Sequence, residues 1–218
     1  MIIYLDSSVL NRIFDDQTQA RIYLESSSML LVFMLIENGF IDIVSSDVLV
    51  FEKSQNPYED RRMFVSLVLE RAKIFKSSDE KTLERAEEIE QQYGIKGMDA
   101  LHLACAEQLQ VDAFITCDDK KISGNYPGDK SSYLYNGLST TSTKSMIPTQ
   151  QCKLRVPHSG SIKHEAIQIL INNLDLTKVS FFIRDNLSNQ SDYLDMKEKL
   201  FEDKTAAEIY REMKTFCN

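Results

Sequence analysis

No stretch of the chain comes near the roughly 18 consecutive apolar residues that a helix needs to cross a bilayer. Its first residues, Met1 to Val9, show neither a basic leader region nor a small-residue cleavage site. Both absences predict a soluble, cytoplasmic protein with no membrane partner. Cysteine is scarce: four residues (Cys105, Cys117, Cys152 and Cys217) stand without C-x-x-C spacing, which argues against a zinc ribbon or a disulfide framework and predicts free thiols. Four prolines and seven glycines leave long elements with little punctuation. No GxGxxG or GxxxxGK[ST] loop is there to cradle a nucleotide. Positive charge is short as well. The formal net charge is −8, and the deficit lies in residues 1–136, with 23 acids against 14 bases, whereas residues 137–218 carry 10 against 11. A non-specific nucleic-acid binder would be basic, so any contact with nucleic acid needs a local patch or metal ions held by the carboxylates.

What is there suits one globular domain with an appendage: 218 residues, 43% hydrophobic and 27% charged. Ile2 to Leu5 form a short apolar run that ends at Asp6. Ser7 and Ser8 follow as helix caps, and Val9, Leu10 and Ile13 recur at helical spacing, so the segment reads as strand, turn, helix. The order repeats, with a long apolar-rich stretch over 18–37, a β-type run over 40–44, and a helix from Val48 that stops near Asn56-Pro57. Amphipathic helices are predicted over 62–73 and 81–93, a further helix rich in Ala and Leu over 98–109, and a buried strand over 111–117. Strands alternating with helices imply an α/β/α sandwich around a central parallel sheet. The pattern fails from Gly124 onward. Residues 137–161, with the tract Ser139 to Ser145, read as a flexible linker, and helical spacing returns over 162–173, 177–187, 193–201 and 205–213. The expectation is a domain of residues 1–136, a linker of 137–161 and a small all-helical appendage of 162–218. That appendage is too short to bury much core alone.

In an open parallel sheet, ligands collect at the carboxyl ends of the strands. Acids occur there: Asp6 ends the first strand, Asp118 ends the last, Asp99 opens a helix, and Glu52 lies one turn into the helix after the second strand. Crowded carboxylates repel one another unless a hard cation neutralises them. Mg²⁺ or Mn²⁺ accepts an incomplete carboxylate shell completed by water, and the matching chemistry is phosphodiester hydrolysis. Blander readings stand beside this one. Asp6 and Asp99 could be helix caps, Glu52 a surface residue near Lys53 and Glu59, and Asp119 could replace Asp118. His102 reads as a hydrogen-bonded structural histidine, and Glu84, Glu87, Glu88 and Glu90 as a solvated helix face.

The ordered set Tyr4-Leu5-Asp6-Ser7-Ser8-Val9-Leu10, Gly97-Met98-Asp99-Ala100-Leu101-His102-Leu103-Ala104 and Ile115-Thr116-Cys117-Asp118 resembles the PIN domain, especially the ribonuclease toxins of VapBC type, over about residues 1–122. The resemblance implies a PIN-like fold and a Mg²⁺- or Mn²⁺-dependent endoribonuclease acting on RNA. It further implies that Asp6, Glu52, Asp99 and Asp118 are the catalytic acids, that Asp6, Asp99 and Asp118 are metal ligands, and that Ser8 and Thr116 support them. No apolar run over 123–136 supplies the last strand such a domain normally has, which leaves the sheet edge incomplete. The tail, with Phe181-Phe182-Ile183-Arg184-Asp185 and Asp192-Tyr193-Leu194-Asp195-Met196-Lys197, resembles the short helical antitoxins of such systems. Met146 would then mark the former start of a separate antitoxin.

The leading expectation is therefore a toxin inhibited by its own tail, in the same chain or swapped within a homo-oligomer. A 25-residue linker spans about 28 Å and gives an effective concentration on the order of millimolar. Lys178, Arg184, Lys204 and Arg211 are the candidate basic residues facing the acids. Ile169, Leu170, Phe181, Phe182, Ile183, Leu187, Leu200 and Ile209 are the expected packing surface. The rival is a non-catalytic PIN scaffold or a regulatory toxin-antitoxin assembly module.

Overall fold

A computed structural model describes residues 1–95, 97–118 and 160–216, with side chains in the last segment described from Glu165 onward. Four short strands form the sheet: β1 (Ile2–Leu5), β2 (Asp42–Ser46), β3 (Ile74–Lys76) and β4 (Ala113–Ile115). Their order is β3-β2-β1-β4 and every pairing is parallel, with Ile3 opposite both Ile43 and Ala113, and Tyr4 opposite both Val44 and Phe114. Each parallel step requires a helical crossover, and the crossovers cover both faces of the sheet. They are α1 (Ser7–Asn11), a 3-10 turn (Arg12–Phe14) and α2 (Ala20–Glu37), then α3 (Asp47–Gln55) and α4 (Glu59–Leu69), then α5 (Glu80–Tyr93) and α6 (Gly97–Gln108). The fold is α/β, as the sequence pattern implied.

Alternation along the strands divides the core in two. Tyr4, Val44 and Phe114 point to one layer, with Leu49, Phe51, Ile89 and Leu101. Ile3, Leu5, Ile43, Ala113 and Ile115 point to the other, with Leu10, Phe33, Phe64 and Val68. The tail enters both layers. It comprises α7 (Gly160–Asn173), α8 (Leu176–Asn186), α9 (Tyr193–Phe201) and α10 (Ala206–Phe216). From α8, Leu176, Val179 and Ile183 join the second layer beside α2. Phe201 and, from α10, Ala206, Ile209 and Met213 join the first beside α5 and α6. Between these anchors, α9 runs along the carboxyl edge of the sheet and meets α1.

Several boundaries move from the expected positions. The β-type run at 40–44 is shifted to 42–46, leaving Phe40 exposed, and the buried strand shrinks from 111–117 to 113–115. The helix expected over 62–73 ends at Leu69, and a third strand that the pattern did not indicate follows. Its three residues are an exposed edge, too short to show alternation. Ser7 and Ser8 lie inside α1 and Asp6 takes the cap position; α8 is capped by Asp175, which accepts from Lys178 N–H at 2.8 Å. Helix α7 begins at Gly160, just inside the expected linker. The rest of that linker, Met146, and the segment 123–136 where a closing strand was missing lie outside the described residues.

The expected packing surface is only partly realised. Ile183 and Ile209 are fully buried, and Leu170, Leu187 and Leu200 pack at the margins of the two layers. Ile169, Phe181 and Phe182 face solvent.

Candidate metal centre

Strand β1 delivers Asp6 to the carboxyl edge, where its N–H donates to Ile115 O at 2.9 Å and continues the ladder past the strand end. Its Oδ2 accepts from Ser8 Oγ at 2.5 Å and from Thr116 Oγ1 at 3.0 Å. Each hydroxyl has one proton and gives it to Asp6, so the 3.2 Å approach of Ser8 Oγ to Thr116 Oγ1 is a contact without a shared proton. The lone pairs left over accept from Cys117 N–H at 3.1 Å and Asp118 N–H at 3.0 Å. Two hydroxyls thus fix one oxygen of Asp6 and leave Oδ1 to face inward. They also tie the segment carrying Asp118 to the same edge.

Glu52, on α3, is 1% exposed. Its Oε2 takes His102 Nε2–H at 2.6 Å. His102 Nδ1 lies 2.8 Å from the Tyr4 hydroxyl, which is also 2.7 Å from Ser46 Oγ, the cap of α3. Both ring nitrogens of His102 are therefore engaged, and the residue positions Glu52. Asp99 lies in the first turn of α6, a helix whose first residue, Gly97, adopts φ +46°. Asp99 Oδ1 is buried without a hydrogen-bond partner.

The point on which these oxygens converge is held by a residue of the tail. Lys197 Nζ, from α9, is 2.6 Å from Asp99 Oδ1, 3.2 Å from Asp6 Oδ1 and 3.4 Å from Glu52 Oε1. Tyr193, one turn earlier, donates its O–H to Glu52 Oε1 at 3.0 Å. Burial alone would raise the pKa of Asp6 and Glu52, but Lys197 and then His102 outweigh it and hold both carboxyls below the ordinary range. Burial would lower Lys197, yet Asp6, Asp99 and Glu52 push it well above the ordinary lysine value. The centre is thus a set of buried anions closed over one buried ammonium.

The structure therefore brings Asp6, Glu52 and Asp99 onto a single cation. It links Asp118 to them through Thr116, with Ser8 and Thr116 bonded directly to Asp6. Glu52, which the sequence left closest to a surface reading, is among the most enclosed. None of the four expected basic residues reaches the acids. Lys178 pairs with Asp175 and Lys204 with Glu212, while Arg211 donates to Ala207 O within its own helix. Arg184 lies over the rings of Tyr23 and Phe181. The sequence did carry a mark of Lys197: Tyr193, Lys197 and Phe201 follow one another at i, i+4 and i+8, so the lysine interrupts an apolar stripe. Cys105 and Cys117 are free and buried, as expected, with burial pushing the Cys105 thiol up to about 12. Cys152 and Cys217 lie outside the described residues.

The donor set suits a hard divalent ion. The three carboxylates present oxygen and already converge on one cation, the Lys197 ammonium, and ligand atoms of Asp6, Glu52 and His102 lie within 4.8 Å of one another. Asp6, Glu52 and Asp99 would hold such an ion, and it would supply an acidified water and neutralise charge on a phosphate.

A parallel sheet of this order with acids gathered at its carboxyl edge defines an α/β protein with a candidate metal centre. Residues 3–123 match the model of the PIN domain, and the chain belongs to the PIN-domain family, whose members are generally metal-dependent nucleases. No curated protein matches the chain. No solved structure matches it either. Among the described residues, no helix is long and apolar enough to cross a membrane.

Proposed function

We propose that the chain is a Mg²⁺- or Mn²⁺-dependent endoribonuclease of the VapC toxin type, hydrolysing RNA phosphodiesters in the cytoplasm, and that residues 162–218 are its antitoxin-like inhibitor. The observation that carries this reading is the Lys197 ammonium lying among Asp6, Glu52 and Asp99. An ammonium there neutralises the carboxylates without offering a water to activate, so it holds the acids together while it keeps the site idle. In the working state, Ser8 and Thr116 keep Asp6 oriented, His102 fixes Glu52, and Asp99 and Asp118 complete the acidic edge against which the phosphate chain lies. The tail acts from its own chain or is exchanged between copies of a homo-oligomer, and the local contacts are the same in both arrangements.

The test is cleavage of a panel of structured RNAs with Mn²⁺ by the full chain and by its Lys197→Met variant. The variant should cleave and the parent should not, and adding Asp6→Asn to the variant should silence it. Folded Lys197→Met protein that leaves every RNA intact would favour the non-catalytic scaffold instead.

A further inference from the structure

Beside the acidic centre lies a second, mixed cluster of buried charge that the reaction above does not use. Arg12 and Arg61 are each 2% exposed and meet on Asp15: Arg12 Nη1 is 3.1 Å from Oδ2, and both terminal nitrogens of Arg61 are 3.0 Å from Oδ1. Arg12 Nε also lies 2.7 Å from Glu25 Oε2, a close ion pair without hydrogen-bond alignment, and Arg21 pairs with the other oxygen of Glu25 at 2.7 Å. Among the described residues before the tail, this cluster includes the guanidinium groups of Arg12, Arg21 and Arg61 and the carboxylates of Asp15 and Glu25. A further anion comes from the tail: Asp192 Oδ1 is 3.2 Å from Arg12 Nη1, and the neighbouring Ser191 Oγ accepts from Arg61 at 2.9 Å.

The two clusters are neighbours. Tyr193 donates its backbone N–H to Asp15 Oδ1 at 3.1 Å and its O–H to Glu52 Oε1 at 3.0 Å, so one residue spans both. Asp192, the cap of α9, and Lys197, within it, are five residues apart in sequence. The tail therefore presents an anion to the arginines and a cation to the acids from one short segment.

The geometry points to the Arg12–Arg61 pair as the seat of an RNA backbone phosphate next to the scissile one, with Asp192 and Ser191 occupying that seat in the inhibited form. This rests on the ribonuclease reading and extends it to the substrate. When the tail leaves, Arg12 gives up Asp192 and Arg61 gives up Ser191, and their guanidinium forks suit phosphate oxygens. The seat reads charge, so it holds the strand irrespective of base.

The test is fluorescence anisotropy with a short, mixed-sequence, single-stranded RNA, with Ca²⁺ in place of Mg²⁺. Two full-chain variants that loosen the tail are used, Lys197→Met and Gly97→Ala, each checked for folding by circular dichroism. Both should bind the RNA. Arg61→Gln paired with Asp15→Asn removes the guanidinium without stranding its carboxylate, and in either background it should weaken binding about tenfold and reduce the salt slope by about one counterion. Arg61→Lys should fall between. Asp192→Asn should strengthen binding in both backgrounds by weakening the tail's hold on the seat. Binding by the loosened chains that is indifferent to the Arg61 and Asp192 changes would overturn the phosphate seat and leave the ribonuclease reading standing. No binding and no Mn²⁺-dependent cleavage by either loosened chain would overturn both.

Discussion

Lys197 is held by Coulombic attraction against a desolvation cost of several kcal/mol, and removing one partner of such a cluster is worse than replacing the whole. Lys197→Met leaves the three carboxylates buried and mutually repelling, so the full chain should lose about 3 kcal/mol or more of stability at neutral pH, measured by urea unfolding. The pH dependence gives an independent check. In the parent, Asp6 and Glu52 are held below their ordinary range, so their contribution is present above about pH 4 and is lost as the pH falls toward their folded-state values. Lys197 is raised, so its contribution is present below about pH 10.5 and is lost only as the pH rises further. Without Lys197, burial acts on the carboxyls with its main opponent gone, and acidification toward about pH 5 should stabilise the variant where it weakens the parent. A variant whose stability falls on acidification as steeply as the parent's would contradict this account of the centre. Thr116→Val removes one of the two protons given to Asp6 Oδ2, and a rise in the Asp6 pKa should follow, read by carboxyl NMR.

The elements explain how the tail finds its place. Gly97 begins α6 at φ +46°, and a Cβ there would collide with Lys204 O and approach Ile209 Cδ1 at 2.9 Å. Glu90 Oε1 accepts both from Gly97 N–H at 2.7 Å and from Ala206 N–H at 3.1 Å, so the turn before α10 is seated on the start of α6. Gly97→Ala should displace α10 and pull α9 with it. Faster proteolysis within 187–216 than in the parent is the expected outcome, and an unchanged cleavage pattern would show that the turn is not a seat. These elements also show what could be read from sequence. Asp6 and Asp118 were legible because a short apolar run ending in an acid announces a strand end, and α6 because Ala and Leu recur along it. Strand β3 was not legible, since three residues on a sheet edge, two of them exposed, have no periodicity. The reach of Lys197 was hidden because a lysine in a small amphipathic helix ordinarily lies in water. Only the position of α9 on the sheet edge, set by α8 and α10 on opposite faces, turns that side chain inward.

At the scale of the molecule, the tail is part of two cores. Removing residues 137–218 would uncover the side chains that pack on Leu176, Val179 and Ile183 in one layer and on Phe201, Ile209 and Met213 in the other. Each such buried side chain is worth about 1.5–3 kcal/mol. The truncated chain should bind the dye ANS strongly and either aggregate or gain Mn²⁺-dependent ribonuclease activity. A soluble, monomeric and inactive truncation with little dye binding would point to the scaffold reading. The centre itself is assembled from distant parts: three crossovers contribute its acids, and the cation arrives from the far end of the sequence.

That last separation sets an order in time. The fourth acid, Asp118, and the lysine that the acids enclose, Lys197, are 79 positions apart. At about 5–20 residues per second, a ribosome needs about 4–16 s to cover that distance. During every round of synthesis the carboxylates therefore exist before their ammonium does. Until Lys197 follows, the acidic edge lacks the charge that neutralises it, and the speed of translation through residues 119–197 sets how long that interval lasts.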